Sequence, residues 1–209
     1  MLRILVLVAS FVFAVSAQAN LLVNGDFEDG LNGWGSEFGS VQVVNKNGNN
    51  VAKLNDNNSS GLEVLWQSFY IPTEVNTVSF SFDFKFKGWD NSRHQEDLAG
   101  SLLEVRDGIT SWWDWSPWSI VEAVEFDLNS GWMSFYGEYD VSNIVDIDPN
   151  GRVFFGIFED SGWCDDLTDS VLFIDNVVVA AVASVPEPGT FALLMLGLAG
   201  LVFARRKAV

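Results

Sequence analysis

Three acidic side chains come nearest to a catalytic arrangement in this sequence. A hydrolase that cleaves sugar bonds with retention needs two carboxyl groups about 5–5.5 Å apart, and the pattern Glu-x-Asp-x-x-Glu on one strand supplies them. Glu125 and Asp127 form the first half of that pattern, but Ser130 occupies its last position and Glu122 lies upstream, in the wrong order. His94 is the only histidine, and it lies in a polar stretch, so we expect no Ser-His-Asp triad. The sequence therefore predicts a protein that is not an enzyme, with a glycoside hydrolase as one alternative.

A second acidic segment has the spacing of half a calcium-binding loop. Asp146, Asp148, Asn150 and Gly151 fit Asp-x-Asp-x-Asn-Gly, but the twelfth position is Ile157. The bidentate carboxylate that closes such a loop is therefore missing, and the flanking residues resemble strands instead of helices. We predict that this segment is a Pro-Asn-Gly turn without metal.

The nine tryptophans fall into two groups. Trp34, Trp66 and Trp132 lie in or beside apolar strand patterns and are predicted to be in the core. The other six lie among Asp, Ser, Gly and Pro residues: Trp89, Trp112, Trp113, Trp115, Trp118 and Trp163. An exposed indole can stack on the apolar face of a sugar ring while nearby carboxylates and amides bond its hydroxyl groups. These six tryptophans are therefore predicted either to bind ligand or to form a second small core beneath a loop.

Short alternating runs separated by Gly, Asn, Asp and Ser must position these side chains. The clearest run places Val78, Phe80, Phe82, Phe84 and Phe86 on one face of a strand and polar residues on the other. Similar runs occupy residues 21–28, 41–54, 62–71, 101–107, 120–128, 133–141, 153–158 and 171–179. A hairpin turn is expected at residues 47–48, which read Asn-Gly. The pattern predicts an all-β antiparallel sandwich of about nine or ten strands.

The charge of the chain excludes some partners. Its 28 acidic and 11 basic residues give a net charge of −17, which repels the phosphate backbone of nucleic acid. An anionic polysaccharide would also be repelled unless a cation intervened. The only cysteine is Cys164, so the domain must fold without a disulfide within the chain.

Both termini are predicted to be targeting segments. Residues 1–19 contain Arg3, an apolar run over residues 4–15 and Ala17-Gln18-Ala19, which together are typical of a removable signal peptide. Residues 20–184 are the predicted sandwich domain. Residues 185–209 contain Pro186, Glu187 and Pro188, then 14 apolar residues at 191–204, and then Arg205, Arg206 and Lys207. A helix of that length reaches about 21 Å, short of the roughly 30 Å hydrocarbon core, and its basic end favours the cytoplasmic side.

This tail resembles the PEP-CTERM sorting signal in its Pro-Glu-Pro motif, its short hydrophobic helix and its basic end. The resemblance implies a Gram-negative bacterium that makes exopolysaccharide, and processing by an exosortase-type membrane protease. It also implies transient inner-membrane insertion of residues 191–204, followed by release or attachment at the cell surface or in the extracellular matrix. A tail anchor that is never cut is the alternative.

The start of the mature chain, Asn-Leu-Leu-Val-Asn-Gly-Asp-Phe-Glu followed by Gly33-Trp34, resembles the opening of galactose-binding-like jelly-roll carbohydrate-binding modules. Residues 173–177, Phe-Ile-Asp-Asn-Val, resemble their last strand. The resemblance implies a jelly-roll sandwich in which the first and last segments lie together and bind a structural calcium. Its ligands would be Asp26 by its carbonyl, Glu28 and Asp175 by their side chains, and groups of the turn from Asn47 to Asn50.

These features together predict an exported, non-catalytic carbohydrate-binding module for an extracellular polysaccharide, neutral or bridged by calcium. The other alternative is a structural matrix or adhesion protein that does not bind sugar.

Overall fold

The computed structural model describes residues 20–38, 41–55, 62–88, 97–106, 118–126, 131–159 and 170–182. All of them fall in one compact unit, Gln18–Val182. Within these residues the chain forms ten strands and no helix: β1 Gly35–Glu37, β2 Gln42–Lys46, β3 Asn49–Asn55, β4 Leu62–Phe69, β5 Thr77–Lys87, β6 Asp97–Arg106, β7 Trp118–Glu125, β8 Met133–Asp140, β9 Gly151–Glu159 and β10 Val171–Ala181. It follows that this part of the chain has no helix able to span a membrane. The predicted signal peptide and the predicted C-terminal helix lie outside the described residues.

The strands form two five-stranded antiparallel sheets. The first sheet has the order β1-β4-β9-β6-β7, and the second has the order β2-β3-β10-β5-β8. The predicted all-β antiparallel sandwich is therefore confirmed, with a strand number at the upper end of the expected range.

The core lies between the two sheets. The predicted apolar face of β5 is confirmed, because Val78, Phe80, Phe82, Phe84 and Phe86 are all buried. The phenylalanine rings of β5 contact aromatic side chains of the opposite sheet. The centroids of Phe82 and Phe155 on β9 are 5.0 Å apart, and those of Phe84 and Phe126, which follows β7, are 4.1 Å apart. Alternation along each strand thus gives the sandwich one dry interior and two outer faces.

The predicted hairpin between residues 41 and 54 is confirmed. Strands β2 and β3 pair from Gln42–Lys53 to Lys46–Asn49. Asn47 and Gly48 form the two-residue turn with φ angles of 57° and 91°. Positive φ at both positions is what such a turn requires, and Asn and Gly tolerate it best.

The strand predicted at residues 21–28 is wrong. This segment forms bends and turns, and its one strand-like contact is a bridge between Asn20 and Ala180. We call residues 20–34 the opening turn. The alternation of apolar residues in it comes from side chains that enter the core at turns, since Leu22 and Phe27 are buried while Val23 is exposed.

The opening turn lies on the last strand, as the family resemblance implies. Val177 N–H donates to the Gly25 carbonyl at 2.8 Å, and Leu21 N–H donates to the Val179 carbonyl at 2.7 Å. On its other side, the Gln67 side chain accepts from Val23 N–H at 2.7 Å and donates to the Val23 carbonyl at 3.0 Å. The backbone of the opening turn is therefore fixed to β10 by backbone hydrogen bonds and to β4 by the Gln67 side chain.

Candidate functional site

An apolar row crosses the outer face of the first sheet. In register from β1 to β7 it contains five residues, which we call the sheet-face row: Gly35, Trp66, Phe154, Leu102 and Ala123. The alternate positions, such as Leu65 and Phe155, are buried in the core. An apolar row on the outward face of an antiparallel sandwich is unusual, because that face is normally polar.

The indole of Trp66 lies over Gly35 on the edge strand β1. A Cβ atom added at Gly35 would lie 2.6 Å from Cε2 and 2.7 Å from Cζ2 of the indole, so the glycine makes room for the ring. The indole Nε1 is buried and has no hydrogen-bond partner among the described residues. The prediction that Trp66 belongs to the core is therefore wrong; the strand pattern did not show which face it would occupy.

A charged pair borders the sheet-face row. Arg152 on β9 and Glu104 on β6 are cross-strand partners on the same outer face. The Arg152 Nη2 and Nε atoms lie 2.6 and 2.7 Å from Glu104 Oε2. The guanidinium also lies 5.0 Å from the centre of the Phe154 ring. A fixed donor group thus lies beside an aromatic ring, which is an arrangement that can bond sugar hydroxyl groups and pack against a sugar ring.

The other border of the sheet-face row has two glycines at its centre. Gly100 on β6 pairs with Gly156 on β9, and Glu125 on β7 continues this row toward the sheet edge. Two facing glycines leave a strip of bare backbone next to Phe154 and Leu102. A ligand lying along the sheet-face row can approach the backbone closely there.

The tryptophan-rich connection begins and ends on this sheet. Strand β6 ends at Arg106 and β7 begins at Trp118, and these two residues pair. Trp112, Trp113 and Trp115 belong to the connection between them and lie outside the described residues, as do Trp89 and Trp163. Their predicted role in ligand binding stays a prediction, and of Trp118 only the backbone is described.

The predicted metal ligands come together in part around the β2–β3 hairpin. Glu28 accepts from Asn50 N–H at 3.1 Å through Oε1 and from Asn50 Nδ2 at 3.0 Å through Oε2. Asp175 accepts from Asn49 Nδ2 at 2.6 Å. We call these residues, with Asp26, the hairpin junction. Asn49 was missed from the sequence, although it lies inside the predicted turn.

Asp175 has a raised pKa within the hairpin junction. Burial raises the pKa of its carboxyl above the ordinary value of 3.8, and the negative charges of Asp83 and Asp26 raise it further. Hydrogen bonds from Asn49 and from Asn176 N–H oppose that change. Asp175 is 3% exposed, so a buried carboxylate here lies near two like charges.

The remaining predicted ligands lie less centrally. Asp26 Oδ1 accepts from Glu28 N–H at 3.4 Å, within the opening turn. Asn47 is exposed at the tip of the hairpin. Across the described ranges, no group of three Asp, Glu, His or Cys side chains is placed to hold a metal ion. A calcium ion at the hairpin junction would therefore need amide or backbone oxygens as well as carboxylates.

The carboxylates considered for catalysis do not face one another. Glu122 pairs with the buried Leu103, whereas Glu125 pairs with Gly100 on the outer face, so their side chains leave β7 on opposite sides. Burial and a hydrogen bond to Glu122 raise the pKa of the Tyr139 hydroxyl, so Glu122 has a structural partner. Asp127 and His94 lie outside the described residues.

The segment with half a calcium-loop pattern is a turn, as predicted. Asn150 is fully buried, its Oδ1 accepts from Ile71 N–H at 2.6 Å, and its Nδ2 donates to the Ile71 carbonyl at 2.8 Å. Asp146 accepts from the Tyr70 hydroxyl at 2.8 Å. These side chains join two chain segments.

Comparisons with known structures define the class of fold. The two sheets form a jelly-roll β-sandwich similar to the N-terminal cellulose-binding domain of a β-1,4-glucanase from Cellulomonas fimi, with a TM-score of 0.50, 14% identity and coverage of 80% of this chain and 100% of that chain. A protein from Bacteroides thetaiotaomicron with a provisional description as sugar-binding is also similar, with a TM-score of 0.51 and 10% identity over 78% of this chain and 100% of that chain.

The enzymatically active domain of tailspike protein 4 from bacteriophage CBA120 is also similar, with a TM-score of 0.52 and 11% identity over 78% of this chain. This chain corresponds to only 21% of the tailspike domain. At these identities the similarities show the fold alone. No curated protein has a significantly similar sequence.

The sorting signal is shown directly by the sequence comparison. Residues 184–207 match the PEP-CTERM protein-sorting motif. This range contains every predicted sorting residue: Pro186, Glu187, Pro188, Arg205, Arg206 and Lys207. The chain therefore carries a PEP-CTERM protein-sorting motif after a domain whose fold is similar to that of a cellulose-binding domain, and the motif indicates export through a membrane-anchored precursor.

Proposed function

We propose that this protein is a non-catalytic carbohydrate-binding module that acts on an extracellular polysaccharide after exosortase-type processing. The observation that carries the proposal is the sheet-face row, in which Trp66 and Phe154 lie side by side on an outward face. Aromatic rings on such a face favour the apolar faces of sugar rings, and the Arg152–Glu104 pair offers groups for their hydroxyls. The tryptophan-rich connection, which enters the same sheet at Trp118, would extend this surface.

The net charge of −17 determines which glycan fits best. A strongly negative protein repels an anionic polymer over a range of about a Debye length, roughly 8–10 Å at physiological ionic strength. A neutral polysaccharide, or an acidic one bridged by cations, is therefore the expected ligand.

We also propose a structural calcium ion at the hairpin junction. Glu28 and Asp175 would hold it by their carboxylates, with side-chain or backbone oxygens from Asp26, Asn47 and Asn50. The donor set is of the right chemical type, because carboxylate, amide and backbone oxygens are the hard ligands that calcium prefers. Calcium would neutralise this negative charge and fasten the opening turn, the hairpin and β10 to one another.

Affinity electrophoresis tests the proposed sugar binding. The full-length protein, solubilised in detergent, is run through gels containing neutral and acidic polysaccharides, including the polymer of its own host. We expect retardation on at least one neutral glycan. Trp66→Ala and Phe154→Ala should each weaken it about tenfold, because truncating an aromatic anchor typically costs more than 1 kcal/mol.

Matched variants separate the alternatives. Tyr136→Ala removes an exposed aromatic side chain from the other sheet and should leave retardation unchanged. Trp112→Ala/Trp115→Ala tests the tryptophan-rich connection, and Glu125→Gln tests a catalytic role. Release of reducing sugar would support a hydrolase, whereas no retardation on any glycan would support a structural matrix protein and overturn the proposal.

A further inference from the structure

The outer face of the second sheet, opposite the sheet-face row, contains a cleft of about 310 Å³. This volume lies at the lower end of the roughly 300–1,000 Å³ typical of small-molecule sites. Trp132 and Met133, at the start of β8, line one side, and Lys46 and Asn47 of the hairpin line the other. We call this space the polar cleft. Trp132 was not predicted to bind ligand, because the sequence analysis assigned it to the core.

The floor of the polar cleft is a continuous chain of hydrogen bonds across four strands. Ser134 on β8 donates to Asp83 on β5, and Asn176 on β10 donates to Asp83 at 2.8 Å and to Asp175 at 3.4 Å. Asn49 on β3 donates to Asp175 at 2.6 Å. Since both amide nitrogens face carboxylates, the two amide oxygens are turned away and are free to accept other hydrogen bonds.

This floor places like charges side by side. Asp83 and Asp175 are direct cross-strand partners, an arrangement that is destabilising for two carboxylates. Asn176 bridges them from a left-handed backbone with a φ of 52°, a conformation that asparagine tolerates. Costly local arrangements of this kind persist at binding sites, where a ligand that donates hydrogen bonds offsets their cost.

The wall of the polar cleft is a preorganised indole. Trp132 is 46% exposed, and its ring lies 6.4 Å from the ring of Phe173. Phe173 is in turn covered by the Lys46 ammonium group, which lies 4.9 Å from the ring centroid. Because Phe173 supports one part of the indole, the exposed part needs little ordering when a ligand stacks on it.

We propose that the polar cleft binds a single neutral hexopyranose unit, stacked on Trp132 and hydrogen bonded to Asp83 and Asn176 of its floor. The sugar is a ligand of the same class as in the proposed function, but the residues and the sheet are different. A sugar ring presents hydroxyl donors to the carboxylates and an apolar face to the indole. An anionic ligand would meet two carboxylates, and a bare metal ion would use neither the volume nor the aromatic wall.

The test is ¹⁹F NMR of the full-length protein labelled with 5-fluorotryptophan. The nine tryptophan signals are assigned by single Trp→Phe variants. The protein is then titrated with the methyl glycosides of glucose, galactose and mannose, in chelator and in millimolar calcium. We expect the Trp132 signal to shift and saturate with at least one glycoside in both conditions.

Two variants test whether the shift of the Trp132 signal reports binding in the polar cleft. Asp83→Asn keeps the size of the side chain but removes a charged acceptor, and it should raise the dissociation constant read from Trp132 at least fivefold. Tyr136→Ala, on the same face of β8 but outside the cleft, should leave that constant unchanged. Equal constants in Asp83→Asn and wild type would overturn the proposed floor.

The remaining outcomes distinguish this proposal from the sheet-face row. A shift of Trp66 without a shift of Trp132 would overturn the cleft and leave the proposed function standing. A shift of Trp132 alone would support the cleft without the sheet-face row. Movement of Trp132 with calcium or with choline chloride but with no glycoside would assign the cleft to a cation and overturn the proposal.

Discussion

Asn150 joins two chain segments through a fully buried side chain. Asn150→Ala would leave the Ile71 N–H and the Ile71 carbonyl without the partners they have now, at 2.6 and 2.8 Å. The Val145 carbonyl would lose a bond of 3.2 Å but keep the one from Ile147 N–H at 2.9 Å. Each unsatisfied buried group costs about 1–3 kcal/mol, so we expect a loss of about 3 kcal/mol in the free energy of unfolding. Urea denaturation measures it, with the exposed Asn143→Ala as a control that should be nearly neutral.

The raised pKa of Asp175 predicts that the free energy of unfolding depends on pH in the absence of calcium. Its pKa is higher in the folded protein than the ordinary value of 3.8, so the folded state binds more protons in that range. Its contribution therefore favours folding at low pH and is lost as the pH rises from about 3.8 through the folded pKa. In chelator, the free energy of unfolding of wild type relative to Asp175→Asn should fall over this range and then level off. A constant or rising difference would contradict the assigned environment.

Calcium should act on the same carboxylate. If the ion binds at the hairpin junction, millimolar calcium raises the melting temperature of wild type in a concentration-dependent way, because it binds the folded state alone. Asp175→Asn should lose most of this increase. Identical melting of wild type in chelator and in calcium would exclude the proposed ion.

The opening turn shows why particular residue types stand at particular positions. Asn24 adopts a φ of 52°, and its side chain bonds the backbone of Asp29, Gly30 and Asn32. Phe27 is buried in the core, and Glu28 accepts two hydrogen bonds from Asn50 of the β2–β3 hairpin. The short motif at residues 20–28 therefore specifies a compact turn on β10 and not a strand.

Gly25 packs directly against the backbone of β10. A Cβ atom there would lie 2.0 Å from the Val177 carbonyl oxygen, so Gly25→Ala must push the opening turn away from the strand. We expect destabilisation of about 1–3 kcal/mol, as for other overpacked sites, measured by urea unfolding. Gly131→Ala is the matched control, because a Cβ atom there meets nothing within 4 Å. Equal stability of the two variants would show that the turn can shift freely.

Periodicity was enough to find most strands but not to place every aromatic residue. The alternation of β5 identified its buried phenylalanines because one face of the strand is entirely apolar. Trp66 and Trp132 were wrongly assigned to the core, since an apolar neighbourhood in sequence does not reveal which face of a sheet a residue occupies. The polar cleft depends on the pairing of β8, β5, β10 and β3, and such distant pairings leave no local signal in a single sequence.

The whole molecule combines a sandwich domain with a sorting signal, and the signal can be tested separately. Wild type and Pro186→Ala/Pro188→Ala are expressed in hosts with and without an exosortase. We expect wild type to become shorter and leave the membrane fraction only where the exosortase is present, because the variant lacks the motif. Identical size and fractionation of both proteins in both hosts would instead support a tail anchor that is never cut.

The position of β10 also determines how the domain carries mechanical load. This strand runs between β3 and β5, and the chain continues from it toward the sorting motif. A pull on that end while the domain grips a polymer would act along β10, against hydrogen bonds on both sides that lie perpendicular to the strand. These bonds resist in shear and must break together, so β10 would resist a load applied through a C-terminal tail that stays attached.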